Sequence, residues 1–75
     1  MQKLLNEIKK QEDCTTYTAQ NGKTCFRTIG NLDWYFLKCS QYELEPKWID
    51  DFSYTAKGNG FEFDYCEHDI ILALE

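Results

Sequence analysis

The sequence predicts an α+β domain with a single antiparallel β-sheet of four to six strands and an N-terminal helix packed on one face. Three observations support this fold class: apolar residues at helical spacing within residues 2–11, an Asn21-Gly22 pair between two β-rich runs, and strict alternation of aromatic and acidic residues from 61 to 65. With two Trp, five Tyr and five Phe in 75 residues, the chain has enough large apolar side chains for one small domain, residues 1–75.

The first element is an amphipathic helix predicted over residues 2–11. Leu4, Leu5 and Ile8 fall on one stripe of this helix, and charged side chains occupy most of the remaining surface. A helix this short is not stable in water by itself, so we expect its apolar stripe to pack against the sheet.

A β-hairpin follows, with its turn at Asn21-Gly22. Both residues accept positive φ angles, which a two-residue type I′ turn requires. This turn pairs Tyr17 with Phe26 across the hairpin. We therefore expect Tyr17, Ala19 and Phe26 to share the face that packs on the core.

The next apolar segment, Trp34–Cys39, predicts a central strand. It follows a turn at Gly30-Asn31 and carries large side chains at consecutive positions. This pattern is typical of a strand that is covered on both faces, and the N-terminal helix would cover one of them.

The segment at residues 46–52 has two interpretations. Pro46 suits the first position of a helix, and the apolar side chains that follow it are spaced as on a short second helix. From Phe52 to Ala56, however, the chain alternates like a strand, so helix and strand compete across residues 50–56. A glycine-rich turn, Lys57–Gly60, follows in either case.

The last two predicted elements are strands. Phe61–Tyr65 alternates strictly, which places its aromatic side chains on the core and its acidic side chains outward. A polar turn at Glu67–Asp69 leads into the apolar strand Ile70–Leu74.

Charge is distributed unevenly along the chain. Residues 31–75 contain ten acidic and three basic side chains, a balance of −7, whereas residues 1–30 carry +2. A dense acidic field repels nucleic acid and anionic membranes and attracts basic protein surfaces. We therefore expect the acidic side chains of residues 31–75 to gather into one negative surface that binds a basic partner rather than nucleic acid or a membrane.

The candidate partner-binding residues combine acidic side chains with aromatic neighbours that supply binding energy. They are Glu43, Glu45, Asp50, Asp51, Glu62, Asp64, Tyr42 and Trp48. In size and one-sided charge the chain resembles the DNA-mimicking antirestriction and anti-CRISPR proteins of phages. The resemblance implies a non-enzymatic inhibitor that docks on a basic, nucleic-acid-handling surface of a partner protein in the cytoplasm of a host cell.

No motif indicates catalysis or a cofactor. His68 is the single histidine, and no serine or cysteine stands at a spacing that suggests a nucleophile activated by it. The four cysteines are widely spaced without a C-x-x-C pair, and the apolar runs are too short to span a bilayer. We expect reduced thiols, no cofactor, no metal and a cytoplasmic location.

Two other functions have a specific sequence signal. Lys57-Gly58-Asn59-Gly60-Phe61 resembles the RNP1 strand of RRM and cold-shock domains, which implies an RNA- or ssDNA-binding module that uses Lys57, Phe61 and Phe63. Alternatively, Cys66 and His68 would contribute to a small structural zinc site. Acidic side chains beside the RNP1-like strand would repel phosphates, which argues against nucleic-acid binding. A second close pair of ligands is missing, which argues against zinc. Protein binding is therefore the favoured hypothesis.

Overall fold

The computed structural model describes residues 2–75 and has the α+β architecture expected from the sequence. A single six-stranded antiparallel sheet has the strand order β1-β2-β6-β5-β4-β3. The helices and strands, in chain order, are α1 (Gln2–Lys9), β1 (Thr15–Thr18), β2 (Thr24–Ile29), α2 (Leu32–Gln41), β3 (Lys47–Asp50), β4 (Ser53–Gly58), β5 (Phe61–Cys66) and β6 (Asp69–Leu74).

Both helices pack on the same face of the sheet. The buried stripe of α1 and the buried side of α2 meet the inward side chains of the central strands β5 and β6, among them Phe63 and Leu72, which are fully buried. Nothing within residues 2–75 covers the other face, which we call the open face. The alternation in the sequence therefore predicts the buried face of β5 correctly. Phe61, Phe63 and Tyr65 are buried, and the acidic residues between them are not.

The prediction of a central strand at Trp34–Cys39 is wrong, because these residues belong to α2. The Asn31 side chain caps this helix by accepting a hydrogen bond from the Trp34 N–H at 2.8 Å. Tyr35 and Cys39, one helical turn apart, are the residues that face the core. Consecutive apolar residues have no period of their own, so the cap and the packing decide the conformation.

The second helix therefore lies at Leu32–Gln41 and not near residues 46–52, where the structure has strand β3. Tertiary pairing with β4 overrides the helical spacing of the apolar side chains. Pro46 directly precedes the edge strand, a position that needs no N–H for the sheet.

The hairpin of β1 and β2 has a longer turn than the Asn21-Gly22 pair predicts. Gly22 adopts a φ of 85° and ends a three-residue loop, so Tyr17 pairs with Cys25 and Thr16 with Phe26. A one-residue shift in register moves side chains to the opposite face. Tyr17 consequently lies on the open face and not on the core.

All four cysteines are free thiols, and Cys25 and Cys39 are buried. Neither helix of residues 2–75 is long and apolar enough to cross a membrane. The cytoplasmic location stays a prediction.

Candidate protein-binding surface

Two β-turns lie side by side at one end of the sheet. The turn between β3 and β4 is joined to the turn between β5 and β6 by a hydrogen bond, which the Glu67 N–H donates to the Phe52 carbonyl at 3.1 Å. We refer to this region as the hairpin tip. It consists of Trp48, Ile49, Asp50, Asp51, Phe52, Glu67 and His68.

Three large apolar side chains of the hairpin tip are exposed to solvent. Trp48 is 63% exposed, Ile49 56% and Phe52 64%. Single exposed apolar residues are common, but three within five positions concentrate exposed apolar surface in one short segment, which we call the apolar patch. Such patches on small proteins mark interaction surfaces.

A β-bulge keeps these side chains at the surface. Trp48 pairs with Tyr54 and Asp50 pairs with Ser53, so Ile49 has no partner opposite it on β4. The Asp50 carboxylate then accepts the Phe52 N–H at 2.9 Å and fixes the turn. The backbone of the apolar patch is therefore held in place before any partner binds.

Aromatic packing anchors Tyr54, the residue that pairs with Trp48 across the β3–β4 hairpin. Tyr54, which lies opposite Trp48, meets the ring of Phe36 edge-on at a centroid distance of 5.0 Å. Phe36 itself contacts the buried Tyr35 at 5.9 Å. A row of rings thus joins the core to Tyr54, the strand partner of Trp48, so the strand beside the exposed tryptophan is anchored in the core.

Three acidic residues of the hairpin tip form its acidic rim. Asp50, Asp51 and Glu67 are exposed, and none of the ion pairs found among residues 2–75 involves them. Their negative charge is therefore not neutralised within the described structure. An exposed apolar centre with an unpaired acidic rim favours a partner that has an apolar pocket among basic side chains.

The turn between β5 and β6 is strained. Glu67 and His68 have φ angles of 45° and 74°, and Cys66 pairs with Asp69 around them. A two-residue turn with positive φ at both positions favours Asn-Gly, since other side chains cost on the order of 1 kcal/mol each. The chain carries an acidic residue and a histidine here at the expense of stability.

We expect the double substitution Glu67→Asn/His68→Gly to raise the free energy of unfolding by about 1–2 kcal/mol, because it relieves this strain. Urea titration followed by circular dichroism measures the change. Glu67→Gln is the matched control, as it removes the charge but keeps the strain. Equal stability of the double variant and the wild type would show that the turn is relaxed.

Two other candidate residues lie on the open face, away from the hairpin tip. Lys57 reaches Glu62 at 3.9 Å, and the Thr55 hydroxyl donates a hydrogen bond to the Asp64 carboxylate. Burial raises the pKa of Asp64 above its usual range. These two acids are thus engaged within the sheet.

The remaining candidates are near the other end of β3. Glu43 follows α2 with a φ of 56°, and its N–H and the N–H of Leu44 bond back to the last turn of the helix. Tyr42 donates its hydroxyl to the Glu7 carboxylate of α1. Glu45, which is exposed, precedes β3.

Glu45 lines a groove on the open face with Thr55 and Lys57, the residues that contact Asp64 and Glu62. The candidate acids thus do not all gather at the hairpin tip. Of the eight candidate residues, the structure brings together Trp48, Asp50 and Asp51 and separates the other five from them. Sequence reasoning did not assign Ile49, Phe52 or Glu67 to the site. The sequence signal was the apolar-acidic run from 48 to 52, but its exposure depends on the bulge.

The RNP1-like residues are not arranged as a base-stacking platform. Phe61 and Phe63 are buried beneath the helices, whereas Lys57 lies on the open face. Cys66 accepts a hydrogen bond from the Ser53 hydroxyl at 3.2 Å. Across residues 2–75 no three His, Cys, Asp or Glu side chains are grouped in a way that would hold a metal ion.

Comparisons with known protein families, with curated proteins and with solved structures find no match for this chain. The geometry of the hairpin tip is therefore the basis for the functional proposal. Its chemistry is that of recognition: exposed aromatic and aliphatic side chains, unpaired carboxylates and a fixed backbone.

Proposed function

We propose that this protein is a non-enzymatic binding module, an inhibitor or adaptor whose hairpin tip docks on a basic, nucleic-acid-handling surface of another protein. One observation carries the proposal: Trp48, Ile49 and Phe52 are all more than half exposed and share the two joined turns with three exposed carboxylates that form no ion pair among the described residues. The apolar side chains supply affinity on desolvation, and the carboxylates supply orientation and a fast encounter.

The charge of the patch defines the partner. Lysine and arginine residues cluster on proteins that bind phosphate backbones, and the same clusters attract carboxylates. The net charge of −5 adds a longer-range attraction to such a surface. Since several acids of residues 31–75 lie on the open face, away from the exposed apolar side chains, the docking face is the hairpin tip and not the whole acidic half of the chain.

The first test is capture of a partner from a host lysate on immobilised protein at low and at high salt. We expect a bound protein with a basic surface, released as ionic strength rises, because screening weakens exposed charge pairs. Failure to capture any partner, or capture that ignores ionic strength, would contradict the proposal.

The second test measures affinity for that partner. We expect Trp48→Ala to weaken binding by about 2 kcal/mol, on the order of 30-fold, since a central tryptophan is a typical hot spot. Leu37→Ala is the matched control, because Leu37 is a large apolar residue of α2 that is 52% exposed and lies outside the hairpin tip. Equal losses for the two variants would mean that the hairpin tip is not the docking face.

The acidic rim is tested in the same assay. We expect Asp50→Asn/Asp51→Asn to slow association and flatten its salt dependence, because charge acts mainly on the encounter rate. Glu43→Gln/Glu45→Gln removes the same number of charges outside the hairpin tip and serves as the control. If the acidic rim guides docking, the two double variants must differ in their association rate and in the salt dependence of that rate.

A further inference from the structure

The two edges of the sheet differ in how they are protected. Edge strand β3 follows a proline, contains a bulge, and carries charged residues at both ends, which are the usual devices against pairing with another strand. Edge strand β1, Thr15–Thr18, has none of these. Its four residues are uncharged, exposed and rich in β-forming side chains.

The outward hydrogen-bonding groups of β1 can be assigned from the hairpin. The Ala19 N–H bonds to the Lys23 carbonyl at 2.9 Å. Because bonded and non-bonded pairs alternate in an antiparallel ladder, Tyr17 bonds to β2, whereas the backbone groups of Thr16 and Thr18 point away from the sheet. These donors and acceptors have no strand partner within residues 2–75.

We propose that β1 is a self-association edge, on which a second copy of this chain places its own β1 in antiparallel orientation. The two-fold axis passes between the two Tyr17 residues. The outward N–H and C=O of Thr16 then form hydrogen bonds with the C=O and N–H of Thr18 in the second copy. By symmetry, Thr18 bonds in the same way to Thr16 of the second copy. The two sheets become one continuous sheet.

A second copy fits this edge because the edge is complementary to itself. A two-fold axis at Tyr17 matches every outward donor of Thr16 and Thr18 with an acceptor. On the side-chain level it pairs threonine with threonine and tyrosine with tyrosine, combinations that stabilise neighbouring strands. No charged residue of the strand meets a like charge.

Charge distribution supports the same arrangement. The chain is acidic, so two copies repel each other unless their acidic residues stay apart. β1 lies in the part of the sequence that carries +2, and the β3–β4 turn of the hairpin tip, with Asp50 and Asp51, lies at the opposite edge of the sheet. Association through β1 therefore holds the two hairpin tips far from each other and leaves both accessible.

Four-residue strands bury less area than the roughly 1,200 Å² at which stable interfaces begin. The dimer is thus expected to be weak and dependent on concentration. Sedimentation velocity of the wild type should show 8.9 kDa at low concentration and a rise toward twice that mass at about 0.1–1 mM. A constant mass over this range would overturn the proposal.

Amide hydrogen exchange by NMR locates the interface. With rising concentration, exchange should slow at Thr16 and Thr18, whereas Tyr17, already bonded to β2, should not change. Concentration-dependent protection at Trp48 or Phe52, without protection at β1, would assign self-association to the hairpin tip and refute this interface.

Substitutions at Thr18 complete the test. Thr18→Pro removes an outward N–H and no bond within the sheet, so the variant should fold and remain at 8.9 kDa. Thr18→Val keeps the N–H and should associate like the wild type. Should Thr18→Pro unfold, Thr16→Lys blocks the edge by charge with the backbone intact. Trp48→Ala should associate like the wild type, which separates this inference from the proposed function. Association that persists in Thr16→Lys would contradict the β1 interface.

Discussion

Replacing Tyr35 by alanine is expected to remove about a third or more of the free energy that holds the domain folded at 25 °C. The Tyr35 ring is fully buried and stacks on Phe63 at a centroid distance of 4.8 Å, with Tyr65 at 5.7 Å and Tyr54 at 6.4 Å. Loss of a buried aromatic ring costs about 3–5 kcal/mol, because transfer and cavity contributions add. A domain of 75 residues has a free energy of unfolding of roughly 4–11 kcal/mol. Urea titration measures the loss.

Two variants show that this loss comes from the ring and not from α2 in general. Tyr35→Phe keeps the ring but removes the hydrogen bond that the hydroxyl donates to the Phe63 carbonyl at 2.8 Å, and should cost about 1 kcal/mol. Phe36→Ala changes the next residue, which is partly exposed, and should cost less than Tyr35→Ala. A similar cost for all three would contradict a core centred on Tyr35.

The position of Tyr35 also explains which parts of the fold the sequence can predict. β5 follows from its alternation because a sheet covered on one face needs that period, and both the strand and its buried face are confirmed. Trp34–Leu37 contains apolar residues at every position and fits either period. Its helical form depends on the Asn31 cap and on the space above Phe63, and the second of these exists only in the folded chain.

Prediction of the candidate site has a similar limit. Composition predicts Trp48, Asp50 and Asp51 as partner-binding residues. They are neighbours in the structure because they belong to one short segment. Glu67 joins them only because the β5–β6 turn lies beside the β3–β4 turn, which follows from the strand order. Likewise the acids of residues 31–75 share a sign but not a surface, since alternation sends Glu62 to the open face.

The second large effect is expected from Glu7→Ala, which removes the polar contact between the two helices. Lys38, with a side chain only 10% exposed, donates to the Glu7 carboxylate at 2.6 Å, and the Tyr42 hydroxyl donates to the same group. Without Glu7 the ammonium loses its charged partner and keeps the Gln41 side chain at 3.0 Å and the Trp34 ring, whose centroid is 5.3 Å away. We expect a loss of about 2–4 kcal/mol in the free energy of unfolding, measured by urea titration.

The dependence of this loss on pH distinguishes the charge of Glu7 from its packing. Hydrogen bonds from Lys38 and Tyr42 hold the pKa of Glu7 below its ordinary value of 4.5 in the folded chain. Its carboxylate therefore stabilises the fold above pH 4.5, and this contribution is lost as pH falls through the folded pKa. The difference between wild type and Glu7→Gln should be largest near neutral pH and shrink in acid.

The difference in the free energy of unfolding between wild type and Glu7→Gln separates the contribution of Glu7 from that of the other carboxyl groups that titrate in acid. The Thr28 hydroxyl lowers the pKa of Asp13, and burial raises the pKa of Asp64, but both groups are present in the wild type and in Glu7→Gln and cancel. A third of the Glu7 side chain is exposed, so the neutral pH difference for Glu7→Gln is expected at about 1–2 kcal/mol. A difference that stays constant down to strongly acidic pH would assign the role of Glu7 to packing and not to its charge.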